Sequence, residues 1–374
     1  MKEWVKGLIL AGAFLTLYFA PLDAPNVLGA ITSGLALLGE YARLHVLTCL
    51  VPALFIAGTI AVFVKKDAVL ALLGPKTNKL IAYPVASVSG GILAVCSCTI
   101  LPLFAGIYKR GAGIGPAAAF LFTGPAINVT AIVLTSSVLG WEFAAARLAA
   151  AMVISVTAGL ILAKIFRAHD QRNADEAFVT GMETDLPYPN WLIVVFFGSQ
   201  LLVLVVLGTA LSPALKIAAA ALLVGVVVLV ALRRFRRDHL GQWMLETWTL
   251  AKKILPYLFV GVFVAGMLEG LLPRDLVTGL VGGNSIGASL VASVFGAFMY
   301  FATLTEVPIV ESLIALGMGR GPALTLFLTG NSLSLPSMIV LFSIMGRRQA
   351  FAYIVIIILL SALAGWAFGT LSPS

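Results

Sequence analysis

Residues 85–90 (VASVSG) return as residues 291–296 (VASVFG), 206 positions later. At the same offset Pro102 returns as Pro308, Gly115-Pro116 as Gly321-Pro322, Thr123-Gly124 as Thr329-Gly330 and Gly140 as Gly346. A duplicated block with Gly and Pro inside apolar segments is the pattern of transporters built from two related halves. In such folds, broken helices from both halves meet at a site near the bilayer midplane.

The solvent for this chain is lipid. Of its 374 residues 60% are hydrophobic and 11% charged, with a mean hydropathy of +1.06, against about 25% charge in soluble domains. Apolar runs such as 191–210 are continuous rather than alternating, which favours helices over a barrel. The net charge of +8 sits in short basic clusters between apolar spans, where it sets orientation and implies no nucleic-acid partner. Three cysteines (Cys49, Cys96, Cys98) are too few for a disulfide framework. No phosphate-binding Gly-Lys-Ser/Thr loop, HExxH or GxSxG occurs, and glycine-rich 110–116 lacks the strand of a dinucleotide site. Neither an enzyme nor a cofactor is expected.

Segments long enough to cross the hydrocarbon core fall near 4–22, 44–64, 113–137, 142–166, 191–210, 214–232, 248–268, 321–345 and 350–369. The first resembles a signal peptide but lacks a convincing small-residue cleavage site, and is read as a retained helix. Segments 80–107 and 286–316 are apolar but interrupted by Gly and Pro, so a straight helix through either is not expected. If 80–107 instead enters and returns, all but five of the 24 Lys and Arg face one compartment; the five are Arg43, Arg147, Lys216, Arg274 and Arg320. The two halves then point in opposite directions. If both segments cross once, the repeat is parallel and several basic clusters lie outside.

The expectation is an all-α polytopic membrane protein of two inverted-topology repeats, each with a re-entrant hairpin and a broken transmembrane helix. Residues 1–43 form an N-terminal helix and interfacial segment, 44–166 the first repeat, 167–247 a cytoplasmic linker, two connecting helices and a basic interfacial helix, and 248–374 the second repeat. The expected location is the inner (plasma) membrane, with the N-terminus cytoplasmic. His239 in the basic segment is read as a surface residue.

Three constellations carry chemistry. Cys96-Ser97-Cys98-Thr99 precedes Pro102. In unwound backbone, side chains at i and i+2 share a side, so two thiolates can hold one soft ion or metalloid, as transported substrate only. The alternative is packing of small buried cysteines, and their counterparts Ala302 and Leu304 do not duplicate the thiols. Next, FTGPAIN (122–128) and LTGNSLSLP (328–336) break two spans. Freed backbone groups survive there only where they face protein or a cavity. Thr123, Asn128, Thr329, Asn331, Ser332 and Ser334 are therefore candidates to line a polar site, against the alternative of plain interhelical hydrogen bonding. Finally, a carboxylate at membrane depth is a functional candidate. Glu306, after Thr305 and aligned with Ile100, is assigned to proton coupling, and Glu311 to a wet mouth.

The run CSCTILPLFAGIYKRGAGIGPAAAFLFTGPAIN (96–128) resembles the signature of the ArsP-type permease family, and TLTEVPIVESLIALGMGRGPALTLFLTGNSLSLPS (303–337) is similar to that family's second signature. The resemblance implies an efflux permease for a trivalent organoarsenical, such as methylarsenite, or a soft metal, with Cys96 and Cys98 as its thiol ligands. The partners expected are this small-molecule or metalloid substrate and the lipid bilayer; assembly as a homo-oligomer is compatible with the pattern. Uptake or export of another small uncharged or anionic solute with structural cysteines, and a non-transporting membrane partner, are the competing readings.

Overall fold

The computed structural model describes residues 25–64, 66–75, 77–93, 97–168, 170, 188–208, 212–271, 280–300 and 306–372. These are helical throughout, with only isolated bridges linking Gly282 and Gly283 to Met318. Five helices are long and apolar enough to cross a membrane, and two further pairs pass that test together, each bent by 47°. The molecule is a multi-pass membrane protein. Its outer surface fits that solvent: Ile217, Leu222 and Val194 are each about two-thirds exposed or more, a burial pattern that water would penalise and lipid does not. The expected span 4–22 lies outside the described residues.

In the first half, α1 (Pro25–Tyr41) runs through a π-helical stretch (Ala42–Leu50) into α2 (Val51–Phe63). Together they form one helix from Val27 to Phe63, so the boundary drawn at residue 43 falls inside continuous helix. Nothing in residues 41–50 (YARLHVLTCL) removes a backbone donor, and the π turns widen the helix without ending it. Then follow α3 (Lys66–Leu73), α4 (Lys79–Leu93), α5 (Ser97–Lys109), α6 (Ile114–Ala126), α7 (Val129–Val138) and α8 (Trp141–Ile165). The connecting pair is α9 (Asn190–Gly208) and α10 (Pro213–Arg234). The second half holds α11 (Arg237–Leu271), α12 (Ile286–Phe298), α13 (Glu306–Ala315), α14 (Arg320–Ser332), α15 (Leu335–Ile344) and α16 (Arg347–Leu371).

A separate interfacial helix over 233–247 does not form. Residues 237–247 are the first turns of the 35-residue α11, which at 1.5 Å per residue is longer than the roughly 30 Å hydrocarbon core. Its overhanging turns pack on an aromatic cluster of Phe63, Tyr188, Phe196, Phe235 and Trp243. The Trp243 indole donates to Phe55 O at 3.1 Å, and Tyr188 OH lies 2.6 Å from His239 Nδ1. His239 thus ties the linker end to α11.

Helices run on through Pro84 and Pro102, and α12 ends at Phe298 with Met299 extended. Proline here removes one donor near the sixth position of each helix.

The repeated glycines perform repeated tasks. Gly111 and Gly317 have φ of 94° and 104°; Gly140 and Gly346 have 93° and 91°, a region that a Cβ disfavours. A Cβ on Gly90 would meet Thr123 Oγ1 at 2.3 Å, and one on Gly296 would meet Thr329 Oγ1 at 2.7 Å. Gly115 crosses Gly159 as Gly321 crosses Gly365, with a Cβ on either first partner 2.7 Å from the other's carbonyl oxygen. Small residues let membrane helices approach this closely.

Candidate functional site

The bends fall at the polar breaks. In the first half α6 carries Pro125 and ends at Ala126, with Ile127 and Asn128 before α7. In the second, Leu333 and Ser334 are extended, Ser334 Oγ accepts from Ser337 N at 3.4 Å, and Pro336 sits in the first turn of α15. Ser and Pro suit these places because the hydroxyl satisfies an orphan N–H and proline needs none.

Between the bends lies a fully buried ion pair. Arg147, on α8, and Glu306, the first residue of α13, have side chains with no exposure and approach at 3.2 Å. Arg147 also donates from Nε to Ala126 O, the end of α6, at 3.3 Å, and from Nη1 to Thr135 Oγ1 of α7 at 3.2 Å. Its guanidinium lies 4.9 Å from the ring centroid of Phe327 on α14. Asn331 Nδ2 donates to Glu306 Oε2 at 2.7 Å, and Ser332 Oγ donates to Phe122 O at 3.4 Å. Glu306 Oε1 is buried without a hydrogen-bond partner among the described residues. One side chain therefore touches both halves and both broken helices. Placing two charges in this interior costs several kcal/mol each, offset only by the pairing and its added hydrogen bonds.

The candidates from sequence divide around this cluster. Glu306, Asn331 and Ser332 belong to it. Ser334, one turn on, bonds to Ser337 at 2.7 Å. Thr123 and Thr329 are buried, but their hydroxyls donate to carbonyls in their own helices, Ala119 O and Thr325 O. They pack against Gly90 and Gly296 and do not line the ion pair. Asn128 and Thr99 are buried, at 8% and 1% exposure. Cys96 and Thr305 lie outside the described residues, and for Cys98 only the helical backbone of α5 is described. Glu311 is exposed. Arg147 was not among the candidates. Its signal was an arginine six residues into an apolar span, a position as anomalous for a charge as that of Glu306.

The two ends of α8 are held differently. At its start, Glu142 Oε2 accepts from Arg320 Nη2 at 2.7 Å and Glu142 bonds to Ser372; Arg320 also lies over Phe143 and Phe368. Beyond its far end, Asp170 Oδ1 accepts from Ile114 N at 2.9 Å. Burial pushes the Asp170 carboxyl up to about 6, against the opposing pull of that amide. Thus α6 and α14 begin at opposite ends of α8, and their C-terminal halves converge at Arg147.

A family described as predicted permease, ArsP_1, matches residues 32–370. The chain belongs to that family. It is 39% identical to the UPF0718 protein MJ0584 of Methanocaldococcus jannaschii over 342 residues, covering 88% of this chain and 93% of the relative. It is 26% identical to the UPF0718 protein YraQ of Escherichia coli, over 66% of this chain and 56% of that one. No solved structure matches. Among the described residues no group of three or more His, Cys, Asp and Glu is placed to hold a metal.

Proposed function

We propose that the protein is a permease of two inverted repeats whose transport site is built around Arg147, Glu306 and Asn331, and that it exports a small thiophilic solute, a trivalent organoarsenical or a soft metal. The observation that carries the reading is the Arg147–Glu306 pair: ionised groups inside an apolar span are expensive and mark solute or proton paths. The convergence of α6 and α14 from opposite ends of α8 supports inversion, since a parallel repeat would start both helices at one end. Glu306, with one oxygen unpartnered among the described residues, is the acceptor open to a proton or a solute donor. Cys96 and Cys98 shortly precede Ile100 in the sequence, and the side chain of Ile100 lies beside Gly124 on α6.

Uptake of methylarsenite and soft metals into everted vesicles tests this. The expected result is accumulation that is lost in C96S/C98S at normal membrane expression and impaired in E306Q. Undiminished accumulation in the double cysteine variant refutes the thiophilic reading. Flux of another solute that survives C96S/C98S but not E306Q keeps the site and changes the cargo. No flux of any tested solute through purified protein in vesicles favours a non-transporting partner.

A further inference from the structure

Away from the ion pair, a groove of about 720 Å³ opens to the outside between α11, α15 and α16. Tyr257, Phe342 and Phe351 line it, and all three are exposed, Phe351 at 63%. Arg347 and Arg348 close one end. Ser343 contributes a hydroxyl that is buried and has no hydrogen-bond partner among the described residues.

The charge at this end runs against helix physics. Arg347 and Arg348 are the first two residues of α16, whose N-cap is Gly346 with no side-chain cap and whose first turn holds no acidic residue. A helix N-terminus carries a partial positive charge from its unsatisfied N–H groups, so cations there are unfavourable and anions favourable. Neither arginine forms an ion pair or hydrogen bond with a described residue. The duplicated position shows the opposite arrangement. After Gly140, with the same positive φ, α8 opens with Trp141 and Glu142, and Glu142 is paired to Arg320. An anion from outside the chain would offset the charge of two arginines on an uncapped N-terminus.

We propose that this groove binds an anionic phospholipid, with its phosphate held by Arg347, Arg348 and the first amides of α16 and its acyl chain laid along Tyr257, Phe342 and Phe351. A lipid fits better than a soluble anion because most of the lining is aromatic or aliphatic. Arginine forks and helix N-termini both suit phosphate oxygens, and clustered cations at a membrane surface recognise anionic headgroups.

The test uses the full-length protein in nanodiscs of mixed phosphatidylglycerol and phosphatidylcholine, with retained lipid counted by native mass spectrometry. Wild type should retain phosphatidylglycerol preferentially, and R347Q/R348Q should lose that preference by roughly tenfold. R233Q/R234Q, at the exposed end of α10, should keep it. Photoactivatable phosphatidylglycerol gives a reading that needs no variant, with crosslinks expected on Tyr257 and on 339–351. Equal retention of both lipids, unchanged preference in R347Q/R348Q, or crosslinks spread evenly over the lipid-facing helices overturns the proposal. So does stabilisation of the protein by inorganic phosphate in pure phosphatidylcholine equal to that given by phosphatidylglycerol, which would point to a soluble anion.

Discussion

The two halves of this protein share a skeleton and differ most at the niche beside each bend. Gly90, Gly115, Gly140 and Gly159 recur as Gly296, Gly321, Gly346 and Gly365, with near-identical turns and helix crossings. At the niche beside each bend the chemistry diverges. The first half places Ile100 against Gly124 and continues with Pro125. The second places Glu306 against Asn331, after Gly330. The facing positions diverge too: Arg147, which reaches Glu306, aligns with Tyr353, a buried residue whose hydroxyl has no partner among the described residues. The packing is therefore alike in both halves, while each half contributes one charge, Arg147 from the first and Glu306 from the second, at a position whose counterpart is uncharged. The glycines serve contacts that recur within each half; the ion pair joins one half to the other.

The sharpest way to break this comparison is to give the second niche the chemistry of the first. E306L leaves Arg147 charged, buried and unpaired. The expected loss is about 3–5 kcal/mol, the usual result of removing one partner of a buried pair, read as a drop in thermal midpoint in detergent. R147M/E306L removes both charges and should recover most of the loss while abolishing transport. A double variant as unstable as E306L would mean the pair is not the coupled unit described, and a double variant that still transports would make the niche structural.

The shared skeleton predicts matched costs. In G90A and G296A the new methyl meets a buried threonine hydroxyl at 2.3 and 2.7 Å, and each should lose about 1–3 kcal/mol, as overpacked interiors do. Similar losses support equivalence of the two crossings. A large loss in one and none in the other would show that the sequence repeat is not a structural one.

This contrast also explains what sequence could reveal. Membrane solvent, helical class and the positions of both bends were legible because composition and Gly–Pro placement act locally. Glu306, Asn331 and Ser332 were legible because polar groups at membrane depth are costly wherever the chain folds. Thr123 and Thr329 were misleading for the same reason: each satisfies its hydroxyl on its own helix, a local answer that composition cannot distinguish from a site. Arg147 escaped because its role depends on a partner 159 positions away. The length of α11 escaped because basic residues were read as a surface signal when helix continuity carried them.

The smallest effect concerns how each half caps its broken helix. Asn284 Oδ1 accepts from Gly321 N at 2.9 Å near the start of α14, and Asp170 Oδ1 accepts from Ile114 N at the start of α6. One acceptor is neutral and the other titrates. Asp170 sits beyond the end of α8 with its carboxyl raised from 3.8 to about 6 by burial. A raised acid binds more protons folded than unfolded between those values, so this residue lowers stability as pH rises from about 4 to about 6, and the penalty is complete above 6. D170N keeps an oxygen acceptor and removes the charge, making the first half match the second. It should raise stability by about 1 kcal/mol at pH 7.5, leave stability unchanged near pH 4, and flatten the slope between. A D170N protein that is less stable at pH 7.5 would mean that the ionised carboxylate is what holds Ile114, and that the two caps are chemically distinct by design rather than two versions of one device.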